Sequence, residues 1–146
     1  MFRGNAPARI DDKGRLKIPN AFRTLLESKY GREVFLTSLS GEDVRIYPMP
    51  VWLDIEEKLG RTPSAHPARQ RYLDRVNYYG QTADIDTQGR VIVPVRLRDS
   101  ATIAGDVDVL GAYNYLNVWN HERFLIRLQN ERFSDDDARA LSEFGI

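Results

Sequence analysis

Ala8-Arg9-Ile10 and Leu16-Lys17-Ile18 alternate apolar and basic residues, the period of a strand with one buried face. Between them, Asp11-Asp12-Lys13-Gly14 has turn chemistry: Asp11 accepts from backbone amides further on, and Gly14 tolerates positive φ. The segment predicts strand, turn, strand. Pro19 suits the first position of a helix, whose apolar stripe is Phe22, Leu25 and Leu26 and whose end lies near Tyr30-Gly31. Val34–Ser38 and Val44–Tyr47 read as two more strands, joined across Ser40–Asp43. Trp52, Ile55 and Leu59 share one helical face, and Ala65, Ala68, Tyr72, Val76 and Tyr79 mark a longer helix. Gly60–Pro67 is the clearest loop.

The same pattern then recurs. Ile10-Asp11-Asp12-Lys13-Gly14-Arg15-Leu16-Lys17-Ile18-Pro19 matches Ile85-Asp86-Thr87-Gln88-Gly89-Arg90-Val91-Ile92-Val93-Pro94 at an offset of 75, with Asp, Gly, Arg and Pro coinciding. Phe22-Arg23 faces Leu97-Arg98 at that offset, and Val44–Tyr47 resembles Leu116–Trp119 at an offset of 72. The second half therefore predicts a strand, a turn at Asp86–Gly89, a strand, a short helix from Pro94, and strands at Val107–Leu110 and Leu116–Trp119. Phe124, Leu125 and Leu128 mark one further helix, and Ser134 caps a last one. The expected organisation is a unit over 1–79 and a second over 80–146, packed as one body. Each unit alone has strands too short to cover its own apolar face. Together they complete one sheet about an internal two-fold axis, an α+β pseudo-dimer that places the two turns symmetrically.

Composition narrows the chemistry. The 146 residues hold no cysteine, which removes disulfides, thiolate metal sites and a Cys nucleophile and fits a reducing cytoplasm. The two histidines, His66 and His121, have no spaced partner and read as surface residues. No run approaches the ~18 apolar residues of a membrane helix, and Met1-Phe2-Arg3-Gly4 does not open a signal peptide. No cofactor, nucleotide-loop, triad or zincin motif is present, so neither an enzyme nor a metal site is expected. Asp135-Asp136-Asp137 suits a helix start electrostatically. The Tyr72, Tyr78, Tyr79 group and both Trp residues read as core or subunit contact.

Net charge is zero, with 21 basic and 21 acidic side chains, which argues mildly against a nucleic-acid binder. The average hides a gradient. Residues 1–32 carry eight basic side chains against Asp11, Asp12 and Glu27, a net +5, so the rest of the chain carries −5. A hairpin tip bearing Lys13 and Arg15, or Gln88 and Arg90, is the end of a two-stranded ribbon that fits the DNA major groove. Arg pairs bidentately with guanine and Gln with adenine. Asp11 and Asp86 then fix the turn or orient the arginine, and Arg3, Arg9, Lys17 and Arg23 are phosphate candidates. On residues alone a second reading stands: each Asp-x-x-x-Arg is a turn with a local ion pair, on a protein that serves as an assembly scaffold.

Met1-Phe2-Arg3-Gly4, the Asp11–Pro19 motif with Phe22-Arg23, and the Asp86–Pro94 motif resemble the MraZ family over essentially the whole chain. The resemblance implies a duplicated swapped-hairpin fold of the AbrB/SpoVT type, a β-barrel with flanking α-helices. It implies a bacterial, cytoplasmic, nucleoid-associated transcriptional regulator without cofactor. Such a regulator binds double-stranded DNA at repeated promoter boxes and represses its own division and cell-wall operon. It further implies a ring of about eight or twelve subunits. The family signature falls on Asp11 with Arg15 and Asp86 with Arg90; Gly14 and Gly89 close the turns, and Gln88 stands where the first turn has Lys13. An antitoxin-like regulator with one hairpin module is disfavoured by the duplication and the helical C-terminal segment.

Overall fold

The hairpin around Gly14 has two unequal strands, β1 (Asn5–Ile10) and β2 (Arg15–Lys17), in a computed structural model that describes residues 1–146. The chain continues through α1 (Asn20–Lys29), β3 (Glu33–Thr37), β4 (Val44–Pro48), α2 (Met49–Arg61) and α3 (Pro67–Tyr79). The second half runs β5 (Gln81–Asp84), β6 (Arg90–Ile92), α4 (Val95–Ala101), β7 (Gly105–Gly111), β8 (Leu116–Asn120), α5 (His121–Asn130) and α6 (Asp135–Ser142). Every predicted strand forms. Pro7 is tolerated inside β1 because β2 reaches β1 only at Ile10↔Leu16, leaving Pro7 a neighbour on one side.

Several helix boundaries differ from expectation: Pro94 caps α4 instead of opening it, and Ala65 lies in the turn before α3. Pro19 is the N-cap of α1 rather than its first residue, with ψ 138, and its carbonyl accepts from the Phe22 and Arg23 amides at 2.9 Å. Helix α2 runs through Gly60, so the loop shrinks to residues 62–66. The last carbonyls of α2 find partners, the Leu59 carbonyl from Arg69 Nε at 3.0 Å and the Lys58 carbonyl from the Thr62 hydroxyl at 3.0 Å. Lys58 and Arg61 also complement the negative end of the helix.

The eight strands form one antiparallel sheet in the order β5-β3-β4-β8-β7-β1-β2-β6, and β5 and β6 approach each other to leave a nearly closed barrel. Each half lends its first strand to the other. β1 pairs along its whole length with β7, from Asn5↔Leu110 to Ile10↔Gly105, and β5 pairs with β3 from Glu33↔Asp84 to Leu36↔Gln81. The axis of exchange is visible in the register. Leu16 and Val91, which occupy the same place in the two halves, face each other in the β2–β6 pair. Arg45 and Asn117, likewise equivalent, face each other in the β4–β8 pair.

The barrel interior is filled from both halves: Ile10, Leu16, Ile18 and Leu26 meet Ile85, Val91, Val93 and Leu97. A smaller cluster holds α2 and α3 to the barrel, where Phe35 stacks on Trp52 at 4.5 Å beside Tyr47 and Val76. Both tryptophans are buried and Tyr72 is half-buried, whereas Tyr78 stands in solvent. Shortening Leu16 leaves a cavity at the point where the halves meet, so Leu16→Ala is expected to lose about 2–5 kcal/mol in urea unfolding. Lys17→Ala, on the exposed face of the same strand, should stay within about 0.5 kcal/mol of the parent.

Candidate nucleic-acid interface

Each turn is tied by one aspartate. Asp11 Oδ1 accepts from the Lys13 amide at 3.0 Å and the Arg15 amide at 2.9 Å, while Arg15 Nε donates to Oδ2 at 2.6 Å. Asp86 repeats the pattern, accepting from the Gln88 and Arg90 amides at 2.9 and 2.8 Å and from Arg90 Nε at 3.2 Å. Gly14 and Gly89 close the turns at φ 82 and 79, where a side chain is disfavoured. The aspartates therefore both fix the turn and orient the arginine. Because only Nε is engaged, the two Nη groups of Arg15 and of Arg90 make no hydrogen bond within the chain.

Each half also braces the turn of the other. The Gly14 carbonyl accepts from the Val93 amide at 2.8 Å, and the Gly89 carbonyl from the Ile18 amide at 2.9 Å. Arg98 lies over Gly14, where a Cβ would fall 2.7 Å from its guanidinium, and Arg23 lies over Gly89 at 2.8 Å. Arg23 further donates to the Thr87 carbonyl at 3.0 Å and to Glu27 at 3.0 Å. Arg23 thus holds a turn, a role its basic character alone did not disclose; the signal was its match to Arg98 at the repeat offset.

The β2–β6 ribbon sets the outward geometry. Leu16 and Val91 point into the barrel, so Arg15, Lys17, Arg90 and Ile92 point out, paired as Arg15↔Ile92 and Lys17↔Arg90. Arg15 and Arg90 stand two residues apart along the ribbon, about 7 Å at the strand rise. Lys13 and Gln88 are exposed at the two tips, one at each end of the ribbon. Arg9 lines a groove with Lys17 and Ile18 and pairs with Asp106 at 3.3 Å in full solvent, a contact of little energetic weight. Arg3 lies apart from the first turn, beyond the far end of β1 and against the Gly111 backbone, the six residues of β1 away from Asp11.

The remaining polar candidates have other uses. His66 caps α3, its Nδ1 accepting from the Ala68 amide at 3.1 Å. Asp137 and Ser134 form a capping box at the start of α6. His121 does have a partner, contrary to expectation: Nδ1 lies 2.7 Å from Asp108 Oδ2, and Asn5 donates to the other oxygen at 3.3 Å. Asp108 is buried on β7, and a spacing of 13 residues across a strand and a helix start gave no sequence signal.

Backbone donation from Arg15, aided by the guanidinium, holds the Asp11 carboxyl below its ordinary value of 3.8, and Arg90 does the same for Asp86. A depressed carboxylate contributes stability above its unfolded pKa and loses it as pH falls through the folded value. Urea midpoints are thus expected to drop as pH falls from about 5 to 3. Asp11→Asn/Asp86→Asn should start lower and show a shallower drop, read by circular dichroism at each pH.

The sequence matches the family described as "MraZ protein, putative antitoxin-like" over residues 1–75 and again over 80–144. It is 47% identical over 146 residues to a protein of Acidobacterium capsulatum named Transcriptional regulator MraZ, with both chains covered in full. A protein of the same name from Koribacter versatilis is 46% identical over 147 residues, again over the whole of both chains. The one from Chromobacterium violaceum is 34% identical over 124 residues, 85% of this chain and 84% of that one. With the match falling on both turn-bearing halves, the chain belongs to the MraZ family.

Proposed function

We propose that this chain is a sequence-specific, double-stranded-DNA-binding transcriptional regulator that reads promoter repeats with the β2–β6 ribbon and its two turns. The observation that carries this is the pair of arginines held by Nε on the outward face of a braced ribbon, with Nη groups that make no hydrogen bond within the chain. An arginine presented in this way meets guanine O6 and N7 without first losing side-chain freedom. The ~7 Å between the two positions along the ribbon spans about two base-pair steps. Lys13 and Gln88 reach base edges or phosphates at the tips, Lys17 and Arg9 contact the backbone on one side, and Arg3 is a remote phosphate contact. The names of the relatives support regulation of transcription, and repression of the chain's own division and cell-wall operon is the mode we assign. Residues 1–79 and 80–146 act as two AbrB/SpoVT-like repeats, each supplying one turn.

A neutral chain with two short cationic tips binds DNA weakly as a single copy. Repetition of the tips on an assembly raises the affinity for tandem boxes by effective concentration, about 10²–10⁴-fold. Helices α5 and α6 and the residues that flank α6 support such assembly. Neither helix buries a residue, Leu125, Ile126 and Leu128 of α5 are exposed, and so are Phe133 and Phe144 on either side of α6. We assign the assembly as a homo-oligomeric ring of about eight or twelve copies, associated with the nucleoid in the bacterial cytoplasm. No helix is long and apolar enough to cross a membrane.

Fluorescence anisotropy on tandem boxes from upstream of the gene, against a shuffled duplex, tests the reading. Wild type should prefer the tandem boxes, with an affinity that falls steeply between low and moderate salt. Arg15→Ala/Arg90→Ala should lose at least about tenfold in affinity with its assembly intact. Equal, weak binding to both duplexes that the variant leaves unchanged would instead favour the scaffold role. A separate outcome concerns the helices: Leu128→Asp/Phe144→Asp should lower the mass in sedimentation and reduce binding to tandem boxes more than to a single box.

A further inference from the structure

The two halves place different chemistry on equivalent positions of the reading face. On the first half's side, Lys17 faces Arg90 with Arg9 in the same groove; on the second, Ile92 faces Arg15, and Asp84 holds the position equivalent to Arg9. Lys17 and Ile92 exchange places under the internal two-fold, and both point outward because Leu16 and Val91 between them point in. Ile92 is 57% exposed, the aliphatic member of an otherwise polar set of four outward side chains on the ribbon. A single exposed isoleucine has no meaning by itself. Here it is the direct cross-strand neighbour of Arg15, whose Nη groups, free of hydrogen bonds within the chain, are the proposed guanine donors. Cross-strand partners on one face have Cβ atoms about 5 Å apart, between one and two base-pair steps, so the two side chains reach neighbouring pairs.

We propose that Ile92 is a specificity-determining residue that packs on the C5-methyl of a thymine next to the base contacted by Arg15. The inference rests on the DNA reading proposed above. Apolar contact with that methyl is the one major-groove feature that an aliphatic side chain can recognise, and no other base carries it. Asp84, in the position equivalent to Arg9, puts a negative charge on the second half where the first has a positive one. The ribbon therefore reads its two ends by different means. The Arg90 end relies on Arg9 and Lys17 for phosphate contacts, whereas the Arg15 end relies on the shape of a thymine. A box read in this way is not palindromic, although the protein frame is close to two-fold symmetric.

The test is a set of promoter duplexes in which each thymine in turn is replaced by deoxyuridine, which deletes only the methyl. Wild type should show one thymine whose replacement weakens binding about fourfold, the effect of burying one methyl-sized group. Ile92→Ala should bind the parent duplex more weakly by a similar factor and be indifferent to that replacement. Ile92→Lys should also lose the discrimination while its salt dependence steepens by about one phosphate contact. Lys17→Ala should keep the discrimination in full. The inference is overturned if wild type binds selectively but no thymine shows the penalty, or if Ile92→Ala retains it. It is equally overturned if Ile92→Ala dissociates in sedimentation, which would make the residue a subunit contact. Absence of selective DNA binding by wild type is a different result, because it removes the DNA reading itself and this inference with it.

Discussion

A hairpin whose second strand has three residues cannot hold its own shape, and the architecture follows from that constraint. Leu16 and Val91 are buried only because β2 and β6 pair across the internal axis and close the floor of the barrel. The same pairing brings the Ile18 amide to the Gly89 carbonyl and the Val93 amide to the Gly14 carbonyl. Neither turn is finished by its own half. A tip that would fray in isolation is instead anchored at its glycine by the opposite strand, and the arginine that follows inherits that rigidity. Pre-organisation of this kind lowers the entropic cost of binding without adding any contact to a ligand.

Charge is arranged to the same end. The aspartate of each turn takes one face of the guanidinium through Nε and two backbone amides through its other oxygen. It neutralises part of the cation, yet it engages only Nε and leaves the Nη groups without a hydrogen bond in the chain. An isolated arginine on a flexible tip would carry more net charge and less direction. The chain as a whole is neutral, so long-range attraction to a polyanion is modest and local geometry carries correspondingly more of the discrimination.

The turns and the duplication were legible in the sequence because they depend on local chemistry: an acceptor, a glycine and a spacing, repeated at a fixed offset. The strands were legible for a similar reason, since alternation reports a buried face. Alternation does not say which strand lies next to which. The exchange of β1 and β5 between halves came from the burial argument for two incomplete units and from resemblance, while its register appears only in the pairing of Leu16 with Val91. Arg23 reads as a phosphate candidate, and neither it nor Arg98 reads as a turn brace, because the glycines they cover are more than sixty residues away. The His121–Asp108 contact spans 13 residues across a strand and a helix start, a spacing with no periodic signal, and Gly60 does not break α2 because nearby side chains satisfy the helix end.

Internal duplication lets one chain show which positions the frame requires. Asp11 and Asp86, Gly14 and Gly89, Arg15 and Arg90, and Pro19 and Pro94 are identical between halves, and each either makes the turn or starts the following helix. Arg23 and Arg98, which cover the turns, are also identical. In the motif matched at the offset of 75, buried positions change only from one apolar residue to another, as in Leu16 against Val91 and Ile18 against Val93. Changes of chemical kind fall on exposed side chains of the ribbon face and tips: Arg9 against Asp84, Lys13 against Gln88, Lys17 against Ile92. None of these six exposed side chains is needed to bury the core or satisfy a backbone group. A homodimer of single hairpins must present the same residue at both ends of its ribbon, so any change for one half-site is imposed on the other. Joining the halves in one chain removes that restriction: the frame keeps its two-fold geometry while the two ends diverge in what they touch.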